Sequence, residues 1–331
     1  MALIKTIDEV RKYVDNVEKD SMLDKLKPKF TMVEDTVVIP HIGREFYVEI
    51  EAAYQAATLT AAQQLVVDYL QEIVANLSVA LAMDTLQVTI GATGVNREES
   101  GASKTAYRYQ ADSAKRQLNL TGWKVLENLL AFLERSTGTY PTWEGSSAYT
   151  VNKSLVINSA DVFDGYYPIA GSRLMFNALK HQIKLVEDME LKGIIGRDLL
   201  TEIKTEIAAA NVSADNQTLL DDFIYAAVAN LSIARAISDS VATLDENGVV
   251  VYERIANSTT DAEVRSSAMD RVTQKRFAAQ NNGMAYLDEL RSYLDANASD
   301  TKYAAYYSSD KYTAPLTDSD DDVELSTYVA G

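Results

Sequence analysis

The sequence predicts a mainly α-helical protein made of two tandem homologous helical-bundle domains, each with a small β-hairpin. Three observations lead to this fold class. Apolar residues recur every three or four positions over several long segments, as expected for amphipathic helices. The order and spacing of residues in the first half return in the second half. Hydrophobic residues make up 47% of the 331 residues, which is enough to bury a core in each half.

The internal repeat defines the domain organisation. Residues 4–54 align without a gap with residues 157–207, at an offset of 153, and the offset becomes 154 where Val74 aligns with Val228. The repeated motifs are Ile42-Gly43-Arg44 with Ile195-Gly196-Arg197, and Tyr140-x-x-Trp143 with Tyr303-x-x-Tyr306. A unit of this length is too long for a solenoid repeat and should carry its own core. We therefore expect one copy in residues 1–152 and the other in residues 153–314.

An acidic C-terminal tail, residues 315–331, follows the second copy. It contains Asp318, Asp320, Asp321, Asp322 and Glu324. An isolated tail of like charges does not fold by itself. We expect a neighbouring subunit to hold it.

The first elements of each copy can be located from caps and breakers. Thr6 and Glu9 have the spacing of a capping box and should begin a short helix. A second helix is expected over residues 22–39, where Pro40 and Gly43 then interrupt it. Copy two keeps this glycine at position 196, as a C-terminal cap would need.

The later elements repeat in the same order. A long helix should begin at Thr60-x-x-Gln63, and a hairpin and a final long helix should follow it. The expected positions are a short helix at 44–54, hairpins around Gly94 and Gly248, and long helices at 216–238, 107–135 and 262–296.

Composition excludes several classes of function. The formal net charge of −17 argues against wrapping of nucleic acid and against a polybasic membrane anchor. The chain has no cysteine, which excludes disulfides, thiolate metal sites and cysteine nucleophiles. With only two histidines, a multi-histidine metal site within one chain is not expected.

The sequence suggests neither targeting nor membrane insertion. The start of the chain runs directly into a charged helix, unlike a secretory signal. No apolar stretch of membrane-spanning length is expected, because residues 65–83 contain Asp68 and Glu72 and are typical of a core helix. We expect a protein made in the cytoplasm.

No set of residues forms a recognisable catalytic or cofactor motif. The best paired carboxylates are Glu34-Asp35 and Glu187-Asp188, but neighbouring helical residues point about 100° apart and cannot converge on one atom. We expect these pairs to form a solvated or salt-bridged helix face. No nucleotide-binding glycine loop occurs. The sequence thus predicts no enzyme, no cofactor and no metal.

Single basic residues have a structural and a functional interpretation. Arg44 and Arg197 could bind phosphate, although salt bridges at helix ends are the more common role. His41 has no histidine or cysteine partner nearby and is interpreted as a turn residue.

The 19 tyrosines are the strongest surface signal. Tyrosine suits protein interfaces because its ring is apolar and its hydroxyl is polar. The candidate interface residues are Tyr307 and Tyr312, together with the hairpin glycines Gly94 and Gly248. The alternative is that the tyrosine rings only pack loops onto each domain.

The opening motif of the repeat resembles a known family. Ile4-x-Thr6-x-Asp8-Glu9-Val10-x-x-Tyr13, followed by a helix that ends at Ile42-Gly43-Arg44, resembles the start of head–tail connector (adaptor) proteins of tailed bacteriophages. The complete unit, with its Tyr140-Pro141-Thr142-Trp143 segment, is also similar to an uncharacterised family of virion-gene-cluster proteins from phages and prophages.

The resemblance implies a structural protein of the virion neck. Connectors form a ring, typically of twelve copies, which sits beneath the portal protein, extends the DNA channel and docks tail and neck proteins. DNA would only pass through, and an acidic surface suits such passage. Because this chain is duplicated, twelve chains would give two layers of domains, and six chains could give a pseudo-twelvefold ring; twelve is favoured. The alternatives are another virion component, such as a tail-completion or capsid-associated protein, and a soluble helical protein-binding module.

Overall fold

The chain folds into two compact units, Met1–Asn152 (unit 1) and Lys153–Gly331 (unit 2). The structure is a computed structural model. It describes residues 3–15, 17, 21–86, 88–91, 94–97, 107–240, 242–245, 248–251 and 259–314. The acidic tail, residues 315–331, lies outside the described residues, and its contact with a neighbouring subunit stays a prediction.

Unit 1 is mainly helical. In chain order, its described elements are α1 (Ile7–Arg11), α2 (Ser21–Val33), a π-helical turn (Glu34–Val38), α3 (Ile39–Ile42), α4 (Arg44–Gln55), α5 (Ala61–Leu86), β1 (Val88–Gly91), β2 (Gly94–Arg97), α6 (Arg108–Arg135), α7 (Pro141–Glu144) and α8 (Ser147–Lys153).

Except for a second π-helical turn in the helix that corresponds to α5, and for one short helix fewer after the last long helix in the described residues, unit 2 has the same order of elements. They are α9 (Ala160–Tyr166), α10 (Arg173–Val186), a π-helical turn (Glu187–Leu191), α11 (Lys192–Ile195), α12 (Arg197–Ala208), α13 (Ala214–Leu219), a second π-helical turn (Leu220–Ile224), α14 (Tyr225–Ser240), β3 (Ala242–Asp245), β4 (Gly248–Val251), α15 (Thr259–Asn297) and α16 (Ala304–Tyr307). The strands pair antiparallel, β1 with β2 and β3 with β4, with Gly91 opposite Gly94 and Asp245 opposite Gly248.

The first helix of each unit begins at a side-chain cap. Thr6 accepts the backbone N–H of Glu9, and the Glu9 carboxylate accepts the backbone N–H of Thr6, so the predicted capping box is confirmed. Ser159 accepts the backbone N–H of Val162 and caps α9 without the second half of the box. These bonds satisfy amide groups that have no partner within the helix.

The core of each unit forms where its two longest helices pack together, α5 on α6 and α14 on α15. A glycine allows each close approach. A Cβ placed on Gly122 would lie 2.6 Å from Leu77, and one on Gly283 would lie 2.5 Å from Leu231. Gly122 and Gly283 therefore mark the helix crossing at the centre of each unit.

Three described helices contain a π-helical turn that the apolar periodicity did not predict. Two of them, Glu34–Val38 and Glu187–Leu191, occupy aligned positions. Proline does not cause them, because Pro40 in unit 1 is replaced by Gly193 in unit 2 and the turn persists. The third, Leu220–Ile224, lies where the offset between the copies grows from 153 to 154 residues. A π-helical turn absorbs one extra residue without breaking the helix.

One helix among the described residues is long and apolar enough, by length and composition, to cross a membrane: Ala61–Met83, with a mean hydropathy of 1.4. The expectation that no apolar stretch of membrane-spanning length occurs is therefore wrong, because Asp68 and Glu72 alone do not make this segment polar on average. However, 72% of that window is buried inside the unit. This burial is typical of a helix at the centre of a globular core.

Candidate functional site

The repeated Gly–Arg turn ends one helix and begins the next in both units. Gly43 and Gly196 have φ values of 86° and 80°, a region that favours glycine because other residues place Cβ against the backbone. In unit 1 this turn packs against the aromatic segment more than a hundred residues later, and a Cβ on Gly43 would lie 2.5 Å from the Ser146 Cβ. In unit 2 the corresponding approach is looser, with the Ser309 Cβ at 3.7 Å from a Cβ on Gly196.

This difference gives a matched prediction. Gly43→Ala should cost about 1–3 kcal/mol for a backbone conformation that only glycine adopts readily, and more for the contact with Ser146. Gly196→Ala should cost only the backbone strain, about 1–3 kcal/mol. Chemical denaturation of the full chain, with hydrogen exchange to locate the weakened unit, checks this. Equal losses in both units would contradict the role of Ser146.

The arginine after each glycine starts a helix. Arg44 lies 3.5 Å from the Asp35 carboxylate, and both side chains are largely exposed. An exposed pair of this kind contributes little to stability. Asp188 is likewise paired, with Lys184 at 3.2 Å. Arg197 begins α12, and its carbonyl accepts the Thr201 hydroxyl.

The sequence predicts a solvated or salt-bridged helix face at the paired carboxylates. A solvated face is wrong for both Glu34 and Glu187, whereas the salt-bridged alternative holds for Glu187, which pairs with Lys204. Glu34 is 2% exposed and Glu187 is fully buried. Each accepts the backbone N–H of a buried residue at the start of its unit, Leu3 at 3.0 Å and Val156 at 2.5 Å. Each carboxylate therefore connects the first π-helical turn of its unit to the non-helical segment that precedes the first helix.

The two buried glutamates have different electrostatic surroundings. The Lys204 ammonium lies 2.5 Å from the Glu187 carboxylate. Burial raises the pKa of Glu187, and the Lys204 hydrogen bond opposes this shift. Burial also raises the pKa of Glu34, and the hydrogen bond from the Leu3 N–H opposes this shift. Among the described residues, lysine is thus the counterion of Glu187 in unit 2, and no lysine pairs with Glu34 in unit 1.

The aromatic motif residues belong to the cores. Trp143 is buried, with its ring centroid 4.4 Å from that of Tyr149. Tyr306 is fully buried, and its hydroxyl donates to Asp295 at 2.7 Å. Gly43, Gly196, Trp143 and Tyr306 therefore form a packed structural site in each unit.

Exposed aromatic side chains occur elsewhere. Tyr307 is 42% exposed, and its ring centroid lies 4.7 Å from that of the partly buried Tyr312. Sequence analysis missed a second pair: Tyr107 and Tyr109, each about 70% exposed, stack with centroids 5.9 Å apart. The signal available was two tyrosines in a row of polar residues at the start of α6.

The remaining candidate residues have more limited roles. Gly94 and Gly248 each begin the second strand of a pair, and their role at an interface stays a prediction. His41 lies in α3, where Nδ1 is 2.7 Å from the carbonyl oxygen of Val37 and the ring meets the edge of Trp123. Within the described part of the chain, no group of three or more His, Asp or Glu residues could hold a metal ion.

These features define a duplicated, mainly helical domain. A family model matches residues 38–153 and residues 191–315, and its description is a family of unknown function, DUF6712. The two regions cover more than half of the chain, so the protein belongs to this family. The match in two regions agrees with the duplication, but it does not name bacteriophage adaptors. No curated protein and no solved structure matches the chain.

Proposed function

We propose that this protein is a structural component of a bacteriophage virion, which forms the head–tail connector ring beneath the portal. One observation carries the proposal: the opening motif that resembles connectors is folded twice in the same way. In both units a capped short helix precedes a helix that ends at a positive-φ glycine followed by arginine. In this role the ring extends the DNA channel and docks tail and neck proteins.

The described surface supports an assembly role. Two pairs of exposed or partly exposed tyrosines, Tyr107 with Tyr109 and Tyr307 with Tyr312, offer apolar rings of the kind enriched at protein interfaces. The net charge of −17 would let DNA pass without adhering. Contacts of the strand pairs around Gly94 and Gly248 with neighbouring subunits are part of the same proposal. Twelve chains are favoured, and six would give a pseudo-twelvefold ring.

Electron microscopy of neck complexes from disrupted particles, with this chain labelled, tests the proposal. We expect the label in a ring under the portal, with six or twelve copies per particle. A label elsewhere on the particle would favour the alternative of a tail-completion or capsid-associated protein. Particles without any label would favour the alternative of a soluble helical protein-binding module, which the exposed tyrosine pairs also fit.

A surface substitution gives a second prediction. Tyr307→Ser should reduce assembly of the connector several-fold. It should leave the thermal unfolding of the free chain nearly unchanged, because Tyr307 is 42% exposed. Val48→Thr is the matched control, since Val48 is also exposed and Thr201 is its counterpart in unit 2. Quantitative neck reconstitution measures assembly. Normal assembly with Tyr307→Ser would remove this residue from the interface.

A further inference from the structure

The long helix α6 of unit 1 has an exposed face that combines apolar and basic side chains. Tyr109, Leu120 and Trp123 are 70%, 59% and 41% exposed. Together with Arg116 they follow one another at intervals of seven, four and three residues, so all four lie on one side of the helix. Lys124 lies beside them, and both basic side chains are exposed. These five residues, the α6 stripe, extend over about 21 Å at 1.5 Å per residue.

The packing of unit 1 leaves the α6 stripe unused. The helix packs its other side against α5 in the core. No carboxylate of the described residues pairs with Arg116 or Lys124, and the nearest acidic residues on the helix, Asp112 and Glu127, already interact with other groups. Contiguous exposed apolar side chains of this kind mark interaction sites more often than chance.

The corresponding face of unit 2 lacks this combination of residues. Gly122 aligns with Gly283, which sets the offset between α6 and α15 at 161 residues. At this offset the positions of Arg116, Leu120 and Lys124 are occupied in unit 2 by Phe277, Asn281 and Ala285. The shared fold therefore does not require the two cations, and the α6 stripe is a feature of unit 1 alone.

The acidic C-terminal tail has the complementary composition. Residues 315–331 contain four aspartates and one glutamate, all between positions 318 and 324, and no lysine or arginine. Val323 and Leu325 alternate with the last acidic residues, so an extended chain would place apolar and acidic side chains on opposite edges. Fully extended, residues 318–324 would span about 20 Å, which is close to the length of the α6 stripe.

We propose that the α6 stripe of unit 1 binds the acidic tail of this chain, with residues 318–325 extended along it. Arg116 and Lys124 pair with tail carboxylates, while the apolar side chains of the tail cover Leu120 and Trp123. Single ion pairs at a surface are weak, so the contact depends on several charges together with burial of the indole ring. This contact goes beyond the proposed connector ring and does not require it.

Disulfide cross-linking in the full chain tests the contact, because the chain has no native cysteine. Leu120→Cys is combined with Ser326→Cys, which leaves every charge of the stripe and the tail in place. The matched control is Asn281→Cys with Ser326→Cys, since Asn281 is the exposed counterpart of Leu120 in unit 2. With an added mild oxidant, we expect the first pair to link roughly tenfold faster than the control, because docking raises the effective concentration of the two thiols.

The product of the cross-link identifies the source of the tail. A linked single chain means that a chain binds its own tail, and a linked dimer means that a second copy supplies it. Both results support the contact between tail and stripe. Equal rates for the pair and its control would overturn the proposal.

Charge reversal separates specific pairing from chance encounters. Arg116→Glu with Lys124→Glu, introduced into the first cysteine pair, should lower the linking rate to that of the control. Adding Asp320→Lys with Asp321→Lys should restore most of the rate, because the charges are then opposite again. A linking rate that does not change on the first reversal would overturn the proposal.

Tryptophan fluorescence gives a readout without engineered cysteines. The chain has two tryptophans, and Trp143 is buried, so Trp123 accounts for most of the quenching by acrylamide. Asp321→Asn with Asp322→Asn should weaken docking, expose the indole ring and raise the quenching constant. The matched control, Asp8→Asn with Asp24→Asn, neutralises two largely exposed acids of unit 1 and should leave quenching unchanged. A rise in both variants, or in neither, would overturn the proposal.

Discussion

Lys204→Ala is expected to destabilise unit 2 by about 3–5 kcal/mol, because it leaves a buried carboxylate without its counterion. Glu187 is fully buried, and the Lys204 side chain is 26% exposed, so solvent does little to replace the lost charge. The remaining partner, the Val156 N–H, does not neutralise the carboxylate. Denaturant unfolding combined with hydrogen exchange measures the loss and places it in unit 2.

A double variant separates buried charge from packing. Glu187→Gln with Lys204→Met removes both charges and should recover most of the stability, since replacing a buried ion pair by neutral residues is often neutral or stabilising. If the double variant is as unstable as Lys204→Ala, the lysine acts through packing of its hydrocarbon chain instead.

The loss caused by Lys204→Ala should depend on pH. Burial raises the folded-state pKa of Glu187 above its unfolded value, and removing the lysine raises it further. A carboxyl group whose pKa is higher in the folded state than in the unfolded state makes the fold more stable at low pH, where it is protonated. This extra stability is lost as the pH rises through the folded-state pKa. Lys204→Ala should therefore be most damaging at neutral pH and milder in acid.

Trp143→Ala should destabilise unit 1 by about 3–5 kcal/mol, the usual cost of deleting a large buried aromatic side chain. Trp143 is buried against Tyr149 and lies just before Ser146, which packs on the turn at Gly43. The cavity would thus weaken the contact between the aromatic segment and the Gly–Arg turn. Calorimetry of the full chain measures the loss.

Trp143→Phe is the matched control. The indole N–H of Trp143 has no hydrogen-bond partner in the described structure, so phenylalanine loses packing volume but no hydrogen bond. We expect less than half of the destabilisation caused by alanine. A loss as large as that of alanine would mean that the indole N–H has a role in the fold.

The helices and caps could be predicted from the sequence, because they depend on local patterns. The final long helix of unit 1 was expected at 107–135 and occurs at Arg108–Arg135. The capping box at Thr6 and Glu9 is present as expected. The π-helical turns were not predicted, because one extra residue within a helix leaves the apolar spacing on either side intact. The shift in offset between the copies was the available signal.

The buried glutamates could not be predicted from residue type, since glutamate is almost never fully buried unless it is paired. Nothing in the neighbouring sequence shows that Glu34 meets Leu3 or that Glu187 meets Val156, because these contacts depend on the tertiary fold. The repetition of the glutamate in both copies was a hint. The opposite charges at the aligned positions Glu51 and Lys204 became meaningful only once the structure placed Lys204 beside Glu187.

The positions of the π-helical turns record the order of events in the history of the gene. The turns at Glu34–Val38 and Glu187–Leu191 are shared, so the extra residue entered the helix in a single-domain ancestor before duplication. The turn at Leu220–Ile224 has no counterpart in the continuous helix Ala61–Leu86. It therefore marks a one-residue length change after duplication, when the two halves had begun to diverge independently.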